Sequence, residues 1–409
     1  MGGQRSAGRE VAAGRQPLFG LAEILAPVTV EEFLADYWEQ KPLVVHREDP
    51  GYFTQVLTLE DVDFVLSTSS LNDGDLRLVA EGEELTISQL VPDNVEGRVN
   101  GLEALFEQYR SGATVNLMFL NERWPALATL TRTVAKQLSA GVHGNVYLTP
   151  PGSRGLTPHH DTHDVLVCQL HGSKSWTFHP TQTALPLQSQ GFSMPKAGAG
   201  DPEREFVLRP GDMAYLPRGT VHAAKANEEA SLHLTIGVNP MAWSNVLHAA
   251  VDQVSATDVR FRSSVPVGFV DSEEARTAAA ARLDELLSLL ATRTSAAGLI
   301  DQLSSRMLQR RPPALKGQLV DLEALSSVEL TTVVRVRPEL QWLVTVDDEE
   351  LHLEFHGKTI DLPQYVEDEL AFMVKADEFT GGDLPGSLDD AGRLVLVRQL
   401  IREGFVTTT

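Results

Sequence analysis

Between about residues 113 and 240 the chain breaks into short β-prone runs separated by glycine and proline turns: ATVNLMFL, NVYLTPPGSRG, DVLVCQLHGSKSWTFHP, PGDMAYLPRGTVHAA and SLHLTIGV. Short strands with frequent turns bury their apolar faces by closing into a barrel or stacking as a sandwich, so this stretch is expected to be one of the two. Upstream, Thr29 with Glu32 three residues later reads as a capping box that opens a short helix with Phe33 and Tyr37 on its inner face. Residues 41–46 (KPLVVH) read as a strand. Past Asn239-Pro240 the pattern turns helical. Asp271 with Glu274 is expected to cap an alanine-rich helix in which Leu283, Leu286, Leu287 and Leu290 share one face. That stripe is expected to be buried, by default within the chain. The Arg310-Arg-Pro-Pro313 stretch ends the helical region. In the last ninety or so residues QWLVTV and LHLEFH read as a hairpin around the acidic turn 347–350, and Leu394, Val397 and Ile401 line a helix that stops at Gly404.

A chain of 409 residues predicts two or three domains at roughly 100–200 residues each. No apolar run approaches the roughly 20 residues of a membrane helix, so no membrane association is expected. Residues 1–18 carry glycine, alanine and arginine without an apolar centre and read as a flexible tail rather than a secretory signal. A single cysteine, Cys168, leaves no internal disulfide and no multi-cysteine zinc site, which fits a reducing, cytoplasmic location. The 56 acidic against 34 basic residues, a net charge of −22, disfavour non-specific nucleic-acid binding and suit a basic partner.

The segment GLTPHHDTHDVLV places three histidines and two aspartates within six positions. On a strand, residues two apart share a face, so His159 and Asp161 converge while His160 faces away. A third ligand is expected from His222, delivered by the PGDMAYLPRGTVH segment onto another strand. Two histidines and one carboxylate form the facial triad of non-haem Fe(II) oxygenases. His163, Asp164, His171 and His179 read as solvated or hydrogen-bonded residues. Lys174 follows the His171-Gly-Ser turn and is expected to open an antiparallel strand returning beside the metal pair. There it would meet the distal carboxylate of 2-oxoglutarate in a charge-assisted hydrogen bond. HExxH, GxGxxG and P-loop patterns are absent, which leaves zinc-hydrolase and nucleotide chemistry without support.

NVYLTPPGSRGLTPHHDTHDVLVCQLHGSKSW followed by GDMAYLPRGTVHAA resembles the JmjC oxygenases, in particular the ribosomal oxygenases that hydroxylate ribosomal proteins. The resemblance extends from residues 25–45 to the DLPGSLDDAGRLVLVRQLIREG ending. It implies an α+β multidomain fold whose three parts follow the tail 1–18. These are a double-stranded β-helix (cupin/JmjC) barrel with an N-terminal α/β extension over 19–245, a helical dimerisation domain over 246–320 and a winged helix over 321–409.

The resemblance also implies that His159, Asp161 and His222 hold Fe(II), that Lys174 binds 2-oxoglutarate with dioxygen as second cosubstrate, and that Asn145 and Tyr147 face the substrate. Two positions depart from the family pattern. His160 stands where an aromatic residue is usual, and Gly237 aligns with a serine that helps hold the substrate in histidine-hydroxylating members. The expected activity is hydroxylation of a ribosomal protein side chain by a homodimer. Hydroxylation of a free amino acid or biosynthetic peptide is the alternative, and a non-catalytic metal-binding cupin scaffold is the alternative of a different class. Residues 321–409 carry 19 acidic against 7 basic side chains, so little DNA binding is expected of them.

Overall fold

Alternation along the strands decides how the first part of the chain is layered. In this computed structural model eleven strands lie among the described residues between 43 and 239: β1 (Leu43–Val45), β2 (Leu76–Ala80), β3 (Glu83–Thr86), β4 (Thr114–Leu117), β5 (Gly141–Thr149), β6 (Asp164–His171), β7 (Lys174–His179), β8 (Arg204–Leu208), β9 (Met213–Leu216), β10 (Val221–Ala226) and β11 (Ser231–Asn239). The described residues are 19–408 without 71, 81–82, 91–97, 182, 191–197 and 347–349. The expected tail 1–18 and most of the acidic turn 347–350 therefore lie outside them.

Eight strands form one sheet in the order β1-β9-β6-β11-β5-β4-β2-β3, and three form a second in the order β10-β7-β8. On β6, Leu166 and Cys168 join one apolar cluster while Val165 and Val167 join another. β9 does the same, with Met213 and Tyr215 on one side and Ala214 and Leu216 on the other. The first cluster packs the large sheet against helices, among them Pro125–Leu138 with buried Leu127, Leu130 and Val134. The second joins that sheet to Trp176, Phe178 and Leu208 of the small sheet. Period-two alternation thus builds a sheet buried on both faces. Cys168 is fully buried, and desolvation pushes its thiol up to about 12.

Thr29 caps the helix Val30–Asp36 by accepting from the Glu32 N–H, and Phe33 is its buried residue. Tyr215 is the hub of this region. Its ring meets Phe33 at 4.8 Å and Trp38 at 5.8 Å, and its hydroxyl accepts from the Glu39 N–H and donates to Asp164 Oδ1 at 2.8 Å. Asp164 is completely buried, and Arg218 Nη1 lies 2.7 Å from its Oδ2. Burial alone would push this carboxyl up; the guanidinium and the tyrosine oppose that.

The chain divides into two units, 1–240 and 241–409. The second contains long helices, Trp243–Thr257, Glu273–Arg293 and Ala296–Gln309, followed by a small α/β region. There a three-stranded antiparallel meander, β13 (Leu343–Val346), β14 (Glu350–Phe355) and β15 (Lys358–Pro363), and the pair β12 (Arg335–Val336) with β16 (Val406–Thr407) accompany the helix Asp390–Glu403. Buried Leu351, Leu353, Phe355, Val397, Leu400 and Ile401 share this core. The hairpin expected around 347–350 is the β13–β14 pair, and the final helix ends at Gly404.

Two expectations are corrected here. The long helix is capped by Ser272, whose hydroxyl accepts from the Ala275 N–H, rather than by Asp271. Its leucine stripe is not buried within the chain. Leu283 and Leu287 are 57% and 55% exposed, and only Leu290 packs against the cluster of Ala249, Ala250, Leu299 and Leu303. Periodicity places apolar residues on one face but does not say whether the cover comes from the same chain. No helix among the described residues is long and apolar enough to cross a membrane.

The buried Asp164–Arg218 pair yields a direct test. Arg218→Ala strands a buried carboxylate, and a loss of about 3–5 kcal/mol is expected in chemical unfolding of the first unit followed by tryptophan fluorescence. A change below about 1 kcal/mol would show that the pair does not anchor this region.

Candidate functional site

The space between the two sheets is a cavity of about 510 Å³. Its walls come from the inward positions of both sheets. Asn116, Asn145, Tyr147, His233 and Thr235 belong to the large sheet, and Lys174, Trp176, His222 and Ala224 to the small one. These residues follow from alternation too. On β11, Leu232, Leu234, Ile236 and Val238 enter the outer core, so His233 and Thr235 face the other way.

His159, Asp161 and His222 meet here, with one ligand atom of each within 4.8 Å of the others. His222 Nε2 stands 3.7 Å from Asp161 Oδ2, and the two imidazole centroids are 4.3 Å apart. Residues 159–161 are not on a strand, contrary to the expectation. They run antiparallel to residues 219–222 through an isolated bridge. The His159 N–H donates to the His222 carbonyl at 3.0 Å, the His222 N–H returns to the His159 carbonyl at 2.7 Å, and the Gly219 N–H donates to the Asp161 carbonyl at 2.9 Å. Gly219 has φ +90°, and a Cβ there would lie 2.1 Å from the Thr183 carbonyl oxygen, so the turn that aligns the ligands requires glycine.

The local chemistry suits a metal. His159 Nδ1 lies 2.8 Å from the Thr157 carbonyl and His222 Nδ1 2.9 Å from the Thr220 carbonyl. A carbonyl only accepts, so both Nδ1 atoms carry the proton and both Nε2 atoms keep the lone pair through which a neutral imidazole ligates a cation. Burial, together with the neighbouring His159, pushes His222 down to about 4 and favours the neutral, ligating form. Burial opposes ionisation of Asp161, yet the surrounding imidazoles of His222, His163, His159 and His160 hold its carboxyl below the usual range.

Lys174 opens β7 as expected, but β7 does not pair with β6. The turn carries the chain into the second sheet, where β7 lies beside β10, the strand of His222. Lys174 is 2% exposed, and its Nζ donates to Thr149 Oγ1 at 3.0 Å. No carboxylate of the described residues is bonded to it, and desolvation lowers it to about 7. An ammonium so enclosed is a site for an anion, which is the group 2-oxoglutarate would present.

Asn145 and Tyr147 line the same cavity. The Asn145 Oδ1 accepts from the Phe119 N–H at 2.9 Å, which leaves its amide nitrogen as the group to offer. Tyr147 stacks on His233 with centroids 5.0 Å apart and planes 2° apart. Sequence reasoning missed Thr149, His233 and Asn116, whose Oδ1 is buried without a partner. Nothing in their local sequence marks them; the β4–β5–β11 register sets Asn116, Tyr147 and His233 side by side. His163, read from the sequence as solvated or hydrogen-bonded, lines the cavity, and Asp164 and His179 have structural partners. His160 is buried and is not among the lining residues.

The JmjC domain family model matches residues 119–246. Ribosomal oxygenase 2 of Bos taurus is 30% identical over 325 residues, 75% of this chain and 68% of that protein. Ribosomal oxygenase 1 of Gallus gallus is 33% identical over 261 residues, but there the match spans 60% of this chain and only 41% of the relative's length. Among solved structures, YcfD, a ribosomal oxygenase from Escherichia coli in complex with cobalt and 2-oxoglutarate, superposes with a TM-score of 0.53 at 17% identity, covering 93% of this chain and 98% of that one. That likeness extends the shared α+β fold beyond the residues of the family match. With a His-Asp-His cluster between its cupin-like sheets and a relative matched over most of both lengths, the chain belongs to the JmjC 2-oxoglutarate-dependent oxygenases, as a relative of the ribosomal oxygenases.

Proposed function

We propose that this chain uses Fe(II), 2-oxoglutarate and dioxygen to hydroxylate a side chain of a ribosomal protein. The observation that carries the reading is the pairing, within one cavity, of the His159–Asp161–His222 cluster with the anion-seeking Lys174. Iron and 2-oxoglutarate, when bound, supply oxygen activation coupled to oxidative decarboxylation to succinate and CO2. The chain's own residues bind and place the reactants. His159, Asp161 and His222 would hold the metal, as two imidazoles and one carboxylate do in non-haem iron oxygenases. Lys174 and the Thr149 hydroxyl grip the distal carboxylate, while Asn145 and Tyr147 orient the target side chain. The apolar walls Val165, Val167 and Trp176 limit water.

The target class is supported by the names of the relatives and by the net charge of −22, which favours approach to basic ribosomal proteins. The proposed organisation assigns residues 246–320 to dimerisation and 321–409 to a winged helix. The dimerisation assignment is supported by the uncovered apolar surface of the long helices. Trp243, Leu247 and Val251 follow one another at helical spacing and are 76%, 62% and 40% exposed, and Leu283 and Leu287 add a second stripe. A second copy of the chain is the proposed cover.

Three experiments test these assignments. Ribosomal proteins from cells lacking the gene should gain about 16 Da on one protein after incubation with purified enzyme, Fe(II), ascorbate and 2-oxoglutarate, whereas His222→Ala should leave every mass unchanged. If wild-type enzyme turns over 2-oxoglutarate but alters no ribosomal protein, a free amino acid or biosynthetic peptide takes first place; failure to bind 2-oxoglutarate at all would favour a scaffold.

Lys174→Met should weaken 2-oxoglutarate binding by about 10–100-fold, the scale of a lost charge-assisted hydrogen bond. Because the anion needs the protonated amine, wild-type affinity should fall as pH rises above about 7 in calorimetric titrations. Flat affinity from pH 6.5 to 8.5, or full affinity in the variant, would remove Lys174 from the site. Finally, Leu283→Asp with Leu287→Asp should convert a dimer to a monomer by light scattering, and a wild-type mass independent of concentration at one chain would overturn the dimer.

A further inference from the structure

Gly237 has no backbone need to be glycine: it lies within β11, outside the left-handed region. What requires glycine there is space. A Cβ on Gly237 would sit 2.3 Å from His143 Cε1, 2.4 Å from His143 Nε2 and 2.8 Å from His163 Cδ2. Gly237 and His143 are direct partners in the β11–β5 register, so the His143 imidazole lies across the glycine where a side chain would otherwise project. The ring is held by Phe119 at 5.5 Å and His163 at 5.2 Å, centroid to centroid. Phe119 is itself fastened through its N–H to Asn145. His143 shares a strand face with Asn145 and Tyr147, and all three line the cavity of the metal cluster.

The tautomer of His143 follows from its neighbour. Asn239 Nδ2, a donor only, approaches His143 Nδ1 at 3.5 Å, while Asn239 Oδ1 accepts from Gln188 Nε2 at 3.0 Å. With the two amides placed this way Nδ1 is the acceptor, which assigns the hydrogen to Nε2, the atom lying over Gly237.

We propose that His143 and Gly237 form a specificity pair, in which the glycine admits the imidazole to the substrate end of the cavity and the His143 Nε2–H donates to an acceptor atom on the entering side chain. The inference rests on the reading of this cavity as the place where a protein side chain is hydroxylated. It narrows the target class: the hydroxylated residue carries a hydrogen-bond acceptor, as histidine, asparagine, glutamine, serine or an acidic residue does. Lysine and arginine, which have donors only, are excluded. His143 acts as a positioning residue for substrate and takes no part in activating oxygen.

The test uses the full chain in three parts. With 13Cε1-labelled histidine, the His143 resonance, identified as the one lost in His143→Phe, should move in Gly237→Ala. With ribosomal proteins extracted from cells lacking the gene as substrate, His143→Phe and Gly237→Ala should each raise KM about tenfold, the scale of one hydrogen bond. Adding Gly237→Ala to His143→Ala should cost far less than adding it to the wild type, because the two closest contacts of the new Cβ, both with His143, have been removed. Tandem mass spectrometry should place the added oxygen on an acceptor-bearing residue.

An unmoved His143 resonance in Gly237→Ala, an unchanged KM in His143→Phe, or product on lysine or arginine overturns the pair. Absence of any product with wild-type enzyme defeats instead the reading of the cavity, and the proposal falls with it. Failure at the variants alone leaves that reading intact.

Discussion

Three backbone hydrogen bonds between residues 159–161 and 219–222 are the constraint on which the site depends. Residues 159–161 belong to no strand and meet the start of β10 through a single bridge, yet together the two segments set two imidazoles and a carboxylate around one position. The alignment is reinforced from outside the cavity. Arg218, one residue before the glycine turn, is locked to Asp164, and Asp164 to Tyr215, which is wedged between Phe33 and Trp38. The N-terminal helices thus reach the metal cluster through a chain of buried polar and aromatic contacts, and their packing bears on the geometry of the chemistry.

A second principle is the division of labour between strand faces. Odd and even positions of β6, β9 and β11 go to different environments, so one set of strands both closes the hydrophobic core and lines a polar chamber. The chamber tolerates a buried lysine and several imidazoles because the surrounding sheet is covered on its other face by helices. Such polar groups cost stability unless something binds them, which is the usual condition of a site prepared for a charged ligand.

Much of this was legible in the sequence, for a physical reason. Strand alternation, helix caps and turn residues are local, and they located the barrel strands, the Thr29 cap and the terminal hairpin. The spacing of His159 and Asp161 also fixed which two side chains would converge, although the responsible structure is a single bridge and not a strand. What escaped was non-local. Thr149 meets Lys174 from another sheet, His143 reaches over Gly237 across a strand pair, and β7 leaves β6 to join β10. The leucine stripe shows the same limit from the other side: its period was plain, but the identity of its cover is not a property of the helix that carries it.

Cys168 holds a consequence for an enzyme family that handles dioxygen. Where oxidants reach a protein, an accessible thiolate is ordinarily among the first groups to suffer. Here the sole sulfhydryl lies on the outer face of β6, sealed in the hydrophobic core and protonated up to about pH 12. Only the thiolate is an effective nucleophile, and it is neither formed nor reachable while the sheet stays packed. The folded chain accordingly offers no thiol handle for inactivation or redox control, so oxidative damage must fall on the ligands, the aromatic residues or methionine.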